Sequence, residues 1–531
     1  MKKTIALLLA LCLCVGLCLV GAKEAPEGIW TDHAATGFDG GAGTAEDPYR
    51  IATPEQLALL AANIQRRNPD DSYAGKSFVL VNDLDLSAHR WIPIGGGAQA
   101  NGGSGYAFHG DFDGNGKTIR GLYVDESGRK FSAGLFGFYT GGVIKNLTVE
   151  DAYVKTEGEY DEDYYGYPEA AGILIGDGTQ GYGQETLVEN CHVSGTVETS
   201  TVQAGGLVGY SSYSVFRSCS AQVQIKGSTF AGGFVGSDWE GTYENCTVKG
   251  SVEGFYSVGG FAGQFFCTKL ADHCLTEASV TATGSHTGGF VGYLEYLDGV
   301  LDEPTRLTAC VALGQVENQR QEDSTRTGGF AGTAGAAVLK KCHTASPVTT
   351  LIPRPDATGG FVGYWFGGEA TGCSFDKEKN ADLSAIGVAN AQEEASIEAG
   401  SSMAVLAHIC EDYYDGHEWD PELTIDQAAT CEGEGLQSVH CLRCGSSSGE
   451  YLPIAPIGHD YGAWAVEKAA TATEAGVEAR YCNHCQKRQA REIPPTGGIP
   501  NTGDPIALAA LCLILSAAAG AGLWIGKKKE Q

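Results

Sequence analysis

The chain has 531 residues, a formal net charge of −30 at pH 7, and 76 glycines against 2 methionines. This composition favours a turn-rich β protein over a helical one. Because a phosphate-binding face needs clustered Lys and Arg, the acidic balance argues against nucleic acid as a partner. The 18 cysteines do not settle the redox state, because a repeated position, the apolar end segments and a C-terminal Cys/His region account for most of them.

Residues 1–22 have the pattern of a signal peptide. Lys2 and Lys3 precede an apolar run over residues 5–20, and a small-residue cleavage site ends at Ala22. We therefore expect cleavage after Ala22 and a secreted chain.

Residues 38–125 predict an N-terminal cap followed by the first coils of the fold. Thr53 and Pro54 suit the N-cap and first position of a helix, and Gln56 completes a capping box. The apolar residues of one helical face are Leu57, Leu60, Ala61 and Ile64. A short helix here would cover the open strand edges at the start of a β structure.

Within the first coils, residues 111–116 read Asp-Phe-Asp-Gly-Asn-Gly, which matches the first six positions of a calcium-binding EF loop. The ligand due at position twelve is Leu122 rather than Glu, and no helical pattern flanks the segment. Calcium is one interpretation. A Gly/Asn turn between two strands is the other, and the residue types favour it.

One short phrase, Gly-Gly-aromatic/Leu-small-Gly, organises the middle of the chain. It begins at Gly205, Gly232, Gly259, Gly288, Gly328 and Gly359, which gives spacings of 27, 27, 29, 40 and 31 residues. A repeat of this period predicts a solenoid, in which each unit buries its apolar face by stacking on its neighbours.

A cysteine follows each phrase, and an earlier copy of the repeat carries one too. The seven are Cys191, Cys219, Cys246, Cys274, Cys310, Cys342 and Cys373. Alternate residues after them are small or apolar, as in Val193, Gly195 and Val197, and this predicts a strand with one buried face. We expect an all-β, right-handed parallel β-helix whose cysteines form an internal ladder and whose Phe/Leu residues form a second one. Disulfides between coils are the lesser alternative, because the inward side chains run parallel.

The phrase and the segment Asn-Cys-Thr-Val-Lys-Gly-Ser-Val at residues 245–252 together resemble the GLUG motif. That motif is found in bacterial surface proteins and in the N-terminal part of some IgA1-cleaving peptidases. The resemblance covers residues 126–375 and implies a β-helix of the surface-protein type. It implies no particular activity, since the motif is a structural unit.

An acidic, Tyr-rich insertion interrupts the coils at residues 157–168. Loops on a rigid scaffold are frequent binding sites, and here the rings could stack on sugars while the carboxylates hold a cation. The candidate ligand-binding residues are Tyr160, Asp161, Asp163, Tyr164, Tyr165 and Tyr167. The alternative is a solvated loop.

Residues 376–416 lose the repeat and form a cap or linker. Residues 403–410, Met-Ala-Val-Leu-Ala-His-Ile-Cys, predict a short apolar helix that closes the far end of the solenoid. Residues 417–498 then contain a second repeat with a period of 41 residues, each copy holding one CxxC pair, Cys441/Cys444 or Cys482/Cys485.

Thiolates at CxxC spacing can bind one metal ion, and zinc takes four N or S ligands. The first copy offers His417, Cys431, Cys441 and Cys444. The second copy has Ala472 where the first has Cys431, so Cys482 and Cys485 would need His484 or another donor. A structural disulfide in each pair is the competing interpretation. The copies resemble small repeats next to the anchor of bacterial surface proteins.

The chain ends with Ile-Pro-Asn-Thr-Gly at residues 499–503, an apolar run at 506–525 and three lysines. A helix of about 20 residues crosses a membrane's apolar core, and the lysines favour the cytoplasmic side. The order resembles an LPxTG-type cell-wall sorting signal of Gram-positive bacteria, with Ile499 for Leu. The resemblance implies that a sortase recognises Pro500 and Thr502, cuts before Gly503 and joins Thr502 to the wall. A transmembrane anchor is the alternative.

No catalytic pattern stands out. A β-helix lyase or hydrolase needs collected carboxylates, but the position two before each ladder cysteine has mixed charge. It holds Glu189, Arg217, Glu244, Asp272, Thr308, Lys340 and Thr371. We therefore expect a cell-surface adhesin or interaction module for a glycan or protein, without a required cofactor. The alternatives are a purely structural spacer and a glycan-active enzyme.

Overall fold

The structure, a computed structural model, describes residues 23–497 apart from 66–72, 97–106, 128–131, 158–169, 180–184, 201–202, 298–302, 322–324, 353, 355–356 and 390–394. The predicted cleavage site at Ala22, the Tyr-rich candidate residues at 160–167 and the terminal segment 499–531 lie outside the described residues. The described residues form two compact units: residues 23–418 with Cys441–Ser446, and Trp419–His440 with residues 447–497.

The first unit is a solenoid of parallel strands, which confirms the predicted all-β fold. Each regular coil contributes strands to three sheets. The cysteine sheet contains the ladder cysteines, the entry sheet leads into the Gly-Gly phrase, and the exit sheet leads out of it. Neighbouring coils pair in parallel throughout the described strands, as in Ala231 with Val258 and Val235 with Ala262.

The strands of the three sheets are as follows in the described part of the chain. The entry sheet comprises Ala170–Ala171, Gln203–Gly205, Phe230–Gly232, Ser257–Gly259, His286–Gly288, Arg326–Gly328 and Thr358–Gly359. The exit sheet comprises Phe136–Phe138, Ile175–Gly178, Val208–Ser212, Val235–Trp239, Ala262–Phe266, Val291–Glu295, Ala331–Ala334, Val362–Trp365 and Ile386–Ala389. The cysteine sheet comprises Tyr49–Ile51, Ser77–Leu80, Leu84–Asp85, Asp111–Arg120, Tyr123–Asp125, Gly142–Thr156, Thr186–Thr199, Ser214–Arg217, Ser220–Lys226, Thr242–Glu244, Thr247–Gly254, Leu270–Asp272, Leu275–Thr276, Ser279–Ala282, Arg306–Thr308, Val311–Ala312, Val316–Asn318, Ala337–Lys340, His343–Thr344, Val348–Thr350, Gly368–Asp376 and Ala395–Gly400.

The glycines of the repeated phrase allow backbones to approach closely. A Cβ atom on Gly232 would lie 2.6 Å from Gly263 N in the next coil, and one on Gly236 would lie 2.6 Å from Ala204 N in the previous coil. A Cβ on the middle residue, Gly233, would lie 2.3 Å from the Gly260 carbonyl oxygen. None of the three phrase glycines has a left-handed φ. The phrase is therefore required by the contact between entry and exit strands.

The residue before each ladder cysteine makes a left-handed bend. Its φ is 53° at Asn190 and 54° at Asn245. Asn tolerates this conformation better than most residues that carry a Cβ, which explains the Asn-Cys pairs in the sequence. After the bend, Cys246 Sγ lies in the core, 3.6 Å from the Phe216 carbonyl of the preceding coil. The ladder cysteines are buried free thiols, as predicted.

The aromatic residues of the phrase form the second predicted ladder. Phe234, Phe261 and Phe290 stack with ring centroids 4.9 and 4.8 Å apart. These separations equal the strand spacing of about 4.8 Å, so the register of the coils sets the ring stacking. Phe330 and Phe361 continue the ladder with separations of 5.0 and 4.8 Å.

A short helix, α1 (Pro54–Gln65), begins at the predicted position after a 3₁₀ turn at Trp30–His33. The Gln56 side chain accepts a hydrogen bond from Ala52 N at 2.7 Å, so it closes the capping arrangement one residue before the expected partner. The buried face of α1 joins the same core as Ile51 and Phe78 of the first two strands.

The second helix, α2 (Ser402–Asp412), forms where the sequence predicts a helix, but its position differs from the prediction. The Ser401 hydroxyl caps it by accepting from Ala404 N at 3.2 Å. Val405 and Ile409 pack on residues of three successive coils rather than across the last one. An 11-residue helix is about 16 Å long, close to three coil spacings. Thus α2 lies along the outer face of the cysteine sheet.

The C-terminal residues form two small antiparallel sheets, consistent with the 41-residue repeat. The first comprises Trp419–Gln427, Gly435–Cys441 and Leu452–Ile454, and the second Ala465–Lys468, Gly476–Tyr481 and Arg488–Ile493. Among the described residues, no helix is long and apolar enough to cross a membrane. The predicted helix at 506–525 lies outside that part of the chain.

Candidate metal centres

Two clusters of three cysteines and one histidine occur in the described residues. The first comprises Cys410, His417, Cys441 and Cys444, and all four ligand atoms lie within 4.8 Å of one another. The second comprises Cys431, His459, Cys482 and Cys485, with the same limit. Each cluster lies entirely within one of the two compact units.

This arrangement corrects the ligand sets expected from the sequence. Cys431 does not join His417, Cys441 and Cys444; its place is taken by Cys410 from the last turn of α2. Cys431 belongs to the second cluster instead, with His459 rather than His484 as the nitrogen donor. The 41-residue alignment assigned the third thiol wrongly, because each CxxC pair takes that thiol from the preceding segment of chain. A signal existed in the sequence: the second copy lacked a donor, and Cys410 had no assigned partner.

Each CxxC pair lies on a tight turn with the same hydrogen bonds. Cys441 N donates to Ser446 O and Gly445 N donates to Cys441 O, both at 2.9 Å. In the second copy, Cys482 N donates to Lys487 O and Gln486 N to Cys482 O, both at 3.0 Å. The residue that follows the second cysteine of each pair has a left-handed backbone conformation, with φ of 71° at Gly445 and 61° at Gln486. We term these turns the first knuckle (Cys441–Ser446) and the second knuckle (residues 482–487).

The histidines reach the knuckles through a second shared contact. Leu442 N donates to Glu418 O at 2.8 Å, and Asn483 N donates to Asp460 O at 2.7 Å. These carbonyls directly follow His417 and His459 in the chain. The His-acid dipeptides that head the two sequence units therefore bring the imidazoles to the thiols by backbone bonding.

The distances fit a tetrahedral metal ion. Cys410 Sγ and Cys441 Sγ are 3.8 Å apart, and Cys431 Sγ and Cys482 Sγ are 3.7 Å apart. Four ligands around zinc with bonds of about 2.3 Å place two sulfurs about 3.8 Å apart, whereas a disulfide needs about 2.05 Å. His417 Nδ1 lies 3.3 Å from Cys444 Sγ. The described cysteines form no disulfide.

The first thiol of each knuckle has a lowered pKa. Burial alone would raise the pKa of Cys441, but the N–H groups of Cys444 and Arg443 and the His417 ring lower it to about 6. At Cys482 the equivalent groups outweigh burial and lower the pKa to about 5. Thiolates are the metal-binding form of cysteine, so both knuckles present an anionic ligand at neutral pH.

The thiols contributed by the preceding segments behave differently. Burial, with the neighbouring thiols, raises the pKa of Cys410 and of Cys431 to about 12. These two thiols would lose their protons on binding a cation, so metal binding would release protons here.

Carboxylates lie behind both imidazoles. His459 Nε2 is 3.1 Å from Glu432 Oε1, and His417 Nε2 is 3.9 Å from Glu411 Oε1. A carboxylate on the far nitrogen orients a metal-binding histidine and makes it more basic. In both clusters this leaves Nδ1 to face the sulfurs.

The calcium-like segment is built differently. Asp111 and Asp113 lie in the strand Asp111–Arg120. Asp111 Oδ1 accepts from Val143 N at 3.0 Å, and Asp113 Oδ1 accepts from Asn115 N at 2.8 Å. Asn115 has a φ of 52°. The segment is a bend held by carboxylate–backbone bonds, and its residues are not in the described metal-site clusters.

The residues two positions before the ladder cysteines pair with one another in the register of neighbouring coils. Glu189 pairs with Arg217, and Arg217 pairs with Glu244, its neighbour in an ion pair of 2.5 Å. A column of mixed charge that includes such an exposed ion pair is a solvated surface rather than a collected carboxylate site.

Comparisons with known proteins add short local similarities. No family model matches the chain. A candidate Gly-rich membrane protein of Evansella cellulosilytica is 34% identical over 130 residues, which is 23% of this chain and 13% of that protein. Halomucin of Haloquadratum walsbyi is 30% identical over 210 residues, 37% of this chain and 2% of that protein. The chain thus spans only a small part of the length of these relatives.

Among solved structures, a candidate immunoglobulin A1 protease from Bacteroides ovatus is similar to this chain. It covers 72% of this chain and 93% of its own, with 16% identity and a TM-score of 0.38. A score this low does not bear on activity, and the solenoid architecture rests on the strand pairings given above.

Proposed function

We propose that this chain is a cell-surface β-solenoid, that each of its two Cys₃His clusters binds one zinc ion, and that the solenoid binds an extracellular glycan or protein. One observation carries the zinc assignment. Across the described residues of 419–497, the buried apolar residues are Cys431, Cys441, Cys444, Ala479 and Cys482. Sheets of this size without an apolar core need another source of stability, and a Cys₃His zinc site supplies it.

The surface location is supported by the relatives and by both ends of the sequence. One matched protein is named as a membrane protein and the other as a halomucin. The predicted signal peptide and the motif at residues 499–503 favour export and attachment by a sortase to the cell wall. The apolar run at 506–525, which the sequence predicts to be a transmembrane helix, would hold the chain in the membrane before that step.

An exposed aromatic group on the solenoid supports the binding role. Phe255 is 59% exposed and Tyr256 is 41% exposed, at the bend between the cysteine and entry sheets. The ring of Tyr256 lies 5.9 Å from that of Phe230 and 5.2 Å from that of His286. We term these four residues the aromatic corner. Exposed aromatic rings held by a rigid scaffold are typical of recognition surfaces.

The binding proposal is tested with the purified chain on a glycan and extracellular-matrix array. The double variant Phe255→Ala/Tyr256→Ala should lose binding, whereas Leu351→Ala, which alters another residue that is 58% exposed, should keep it. Binding that survives in the double variant but is lost on deletion of residues 158–169 would move the site to the Tyr-rich insertion. Silence of the wild-type chain across the array would favour a structural spacer.

The zinc proposal is tested by elemental analysis of the purified chain. We expect 2 zinc ions per chain, one for each Cys₃His cluster. Cobalt substitution should give the visible absorption of tetrahedral thiolate ligation. A purified chain that contains no metal and binds neither added zinc nor added cobalt would overturn the proposal.

A further inference from the structure

The two clusters differ in the element that supplies the third thiol. Cys431 comes from a turn between two strands, whereas Cys410 comes from the last turn of α2. We propose, on the basis of the zinc sites above, that the ion at the first cluster joins the C-terminal end of α2 to the first knuckle and so stabilises the helix on the outer face of the solenoid, so that the cover over this face depends on metal. The ion at the second cluster has no such role.

The outer face of the cysteine sheet changes from polar to apolar beneath α2. In successive coils, the residue after the ladder cysteine is His192, Ser220, Thr247, Leu275, Val311 and His343. Leu275 and Val311 pack with Val405 and Ile409 of α2. Without α2, Leu275 and Val311 would be exposed on an outer face that is polar in the preceding coils. Their apolar character therefore indicates that α2 covers this part of the surface in the folded chain.

Besides the apolar contacts with three coils, polar contacts join both ends of α2 to the solenoid. Asp412 accepts from Lys341 Nζ at 2.6 Å and lies 3.0 Å from His343 Nε2. At the other end, Ser402 Oγ bonds Asp376 Oδ2 at 2.7 Å. A helix of 11 residues is marginal by itself. Exposed ion pairs such as the Lys341 contact contribute little.

The first knuckle contacts the C-terminal end of α2 and the residues that follow it. Leu406 packs against both the coil residues and the cluster of Cys410, Cys441 and Cys444, so it joins the two contact regions. Arg443 extends from the knuckle to Glu418 at 2.8 Å, and its guanidinium lies 4.3 Å from the ring of Tyr414, just after α2. An ion bound by Cys410 and by the knuckle cysteines would join the end of α2 to the first knuckle through coordinate bonds.

The test compares two matched variants by hydrogen–deuterium exchange with mass spectrometry, each with and without zinc. Cys410→Ser removes a ligand of the first site, and Cys431→Ser removes the equivalent ligand of the second. We expect each variant to bind 1 zinc ion fewer than the wild type, since each cluster loses one of its four ligands. Zinc should slow exchange in peptides covering 402–412, by about tenfold or more, in the wild type and in Cys431→Ser, but not in Cys410→Ser.

The zinc-dependent difference separates metal binding from simple loss of a buried side chain, which would raise exchange equally with and without zinc. The inference is overturned if wild-type α2 exchanges at the same rate in both states while 2 zinc ions bind. It is also overturned if Cys431→Ser abolishes the zinc effect on α2. A chain that binds no zinc would instead refute the zinc assignment itself.

Discussion

Cysteine has contrasting environments in the solenoid ladder and in the C-terminal knuckles. Cys246 is one rung of the solenoid ladder, where its thiol is fully buried and lies 3.6 Å from the Phe216 carbonyl of the preceding coil. Cys482 lies on a knuckle, where backbone N–H groups and His459 outweigh burial and lower its pKa to about 5. The solenoid gains its stability from stacked apolar side chains, so its thiols serve as filler. The small C-terminal sheets have almost no apolar core, so their thiols serve as ligands.

The largest effect should come from removing metal from the second cluster. Chelation, or Cys482→Ser, should make residues 447–497 sensitive to limited proteolysis, because the free energy of binding a structural zinc ion is folding free energy for such a module. The coils between residues 133 and 376 should stay resistant. Cleavage sites can be mapped by mass spectrometry, and restoration by zinc is the control. Resistance of metal-free residues 447–497 to the protease would show that this segment does not depend on metal for its stability.

The solenoid should instead be most sensitive to backbone spacing. Gly236→Ala places a Cβ 2.6 Å from Ala204 N, so the strands must separate, at a cost of about 3 kcal/mol or more. The matched control is Gly37→Ala, since a Cβ there has nothing within 4 Å. Urea titration of both variants gives the two changes in the free energy of unfolding. Equal effects would show that close approach does not explain the repeated phrase.

The solenoid also has a buried ionisable group with a pH dependence opposite to that of the metal sites. The Asp238 carboxyl accepts from Gly241 N at 2.9 Å and from Thr268 Oγ1 at 2.7 Å. Burial raises its pKa to about 6, against about 3.9 in an unfolded chain. Between these values the unfolded state loses its proton first, so the contribution of Asp238 to stability is present below about pH 4 and is lost as pH rises through 6.

Two pKa units correspond to about 3 kcal/mol at most. The difference in unfolding free energy between the wild type and Asp238→Asn should therefore change by up to this amount from pH 4 to pH 7, with the wild type relatively weaker at pH 7. The metal sites should show the reverse trend, because acid protonates their ligands. A pH-independent difference would mean that Asp238 is not perturbed.

The smallest effect should be seen at the ladder cysteines. Cys246→Ala removes one buried sulfur and should cost about 1 kcal/mol, with no change in zinc content. Cys441→Ala should lower the zinc content by 1 ion per chain, because it removes a ligand of one cluster. Metal analysis and urea unfolding of these two variants distinguish a cysteine that only fills the core from one that binds metal. Loss of zinc in Cys246→Ala would break the distinction.

Much of the solenoid was predictable from local residue patterns. The spacing of the Gly-Gly phrase, the alternation after Cys191 and the capping residues Thr53 and Gln56 each report on a short stretch of backbone or on contacts between adjacent coils. Such patterns repeat because every coil has the same neighbours. The CxxC pairs were recognisable for the same reason, since four consecutive residues of one turn place both thiols.

The sequence by itself determined the repeat, the parallel β architecture, α1 and α2 among the described residues, and the presence of thiolate pairs. Only the tertiary structure decided that Cys410 rather than Cys431 completes the first cluster, that His459 serves the second, and that α2 lies along the coils. These outcomes depend on how segments distant in the sequence meet in space. No pattern of period two, four or 41 encodes that meeting, because it follows from which surfaces remain uncovered once the coils have stacked.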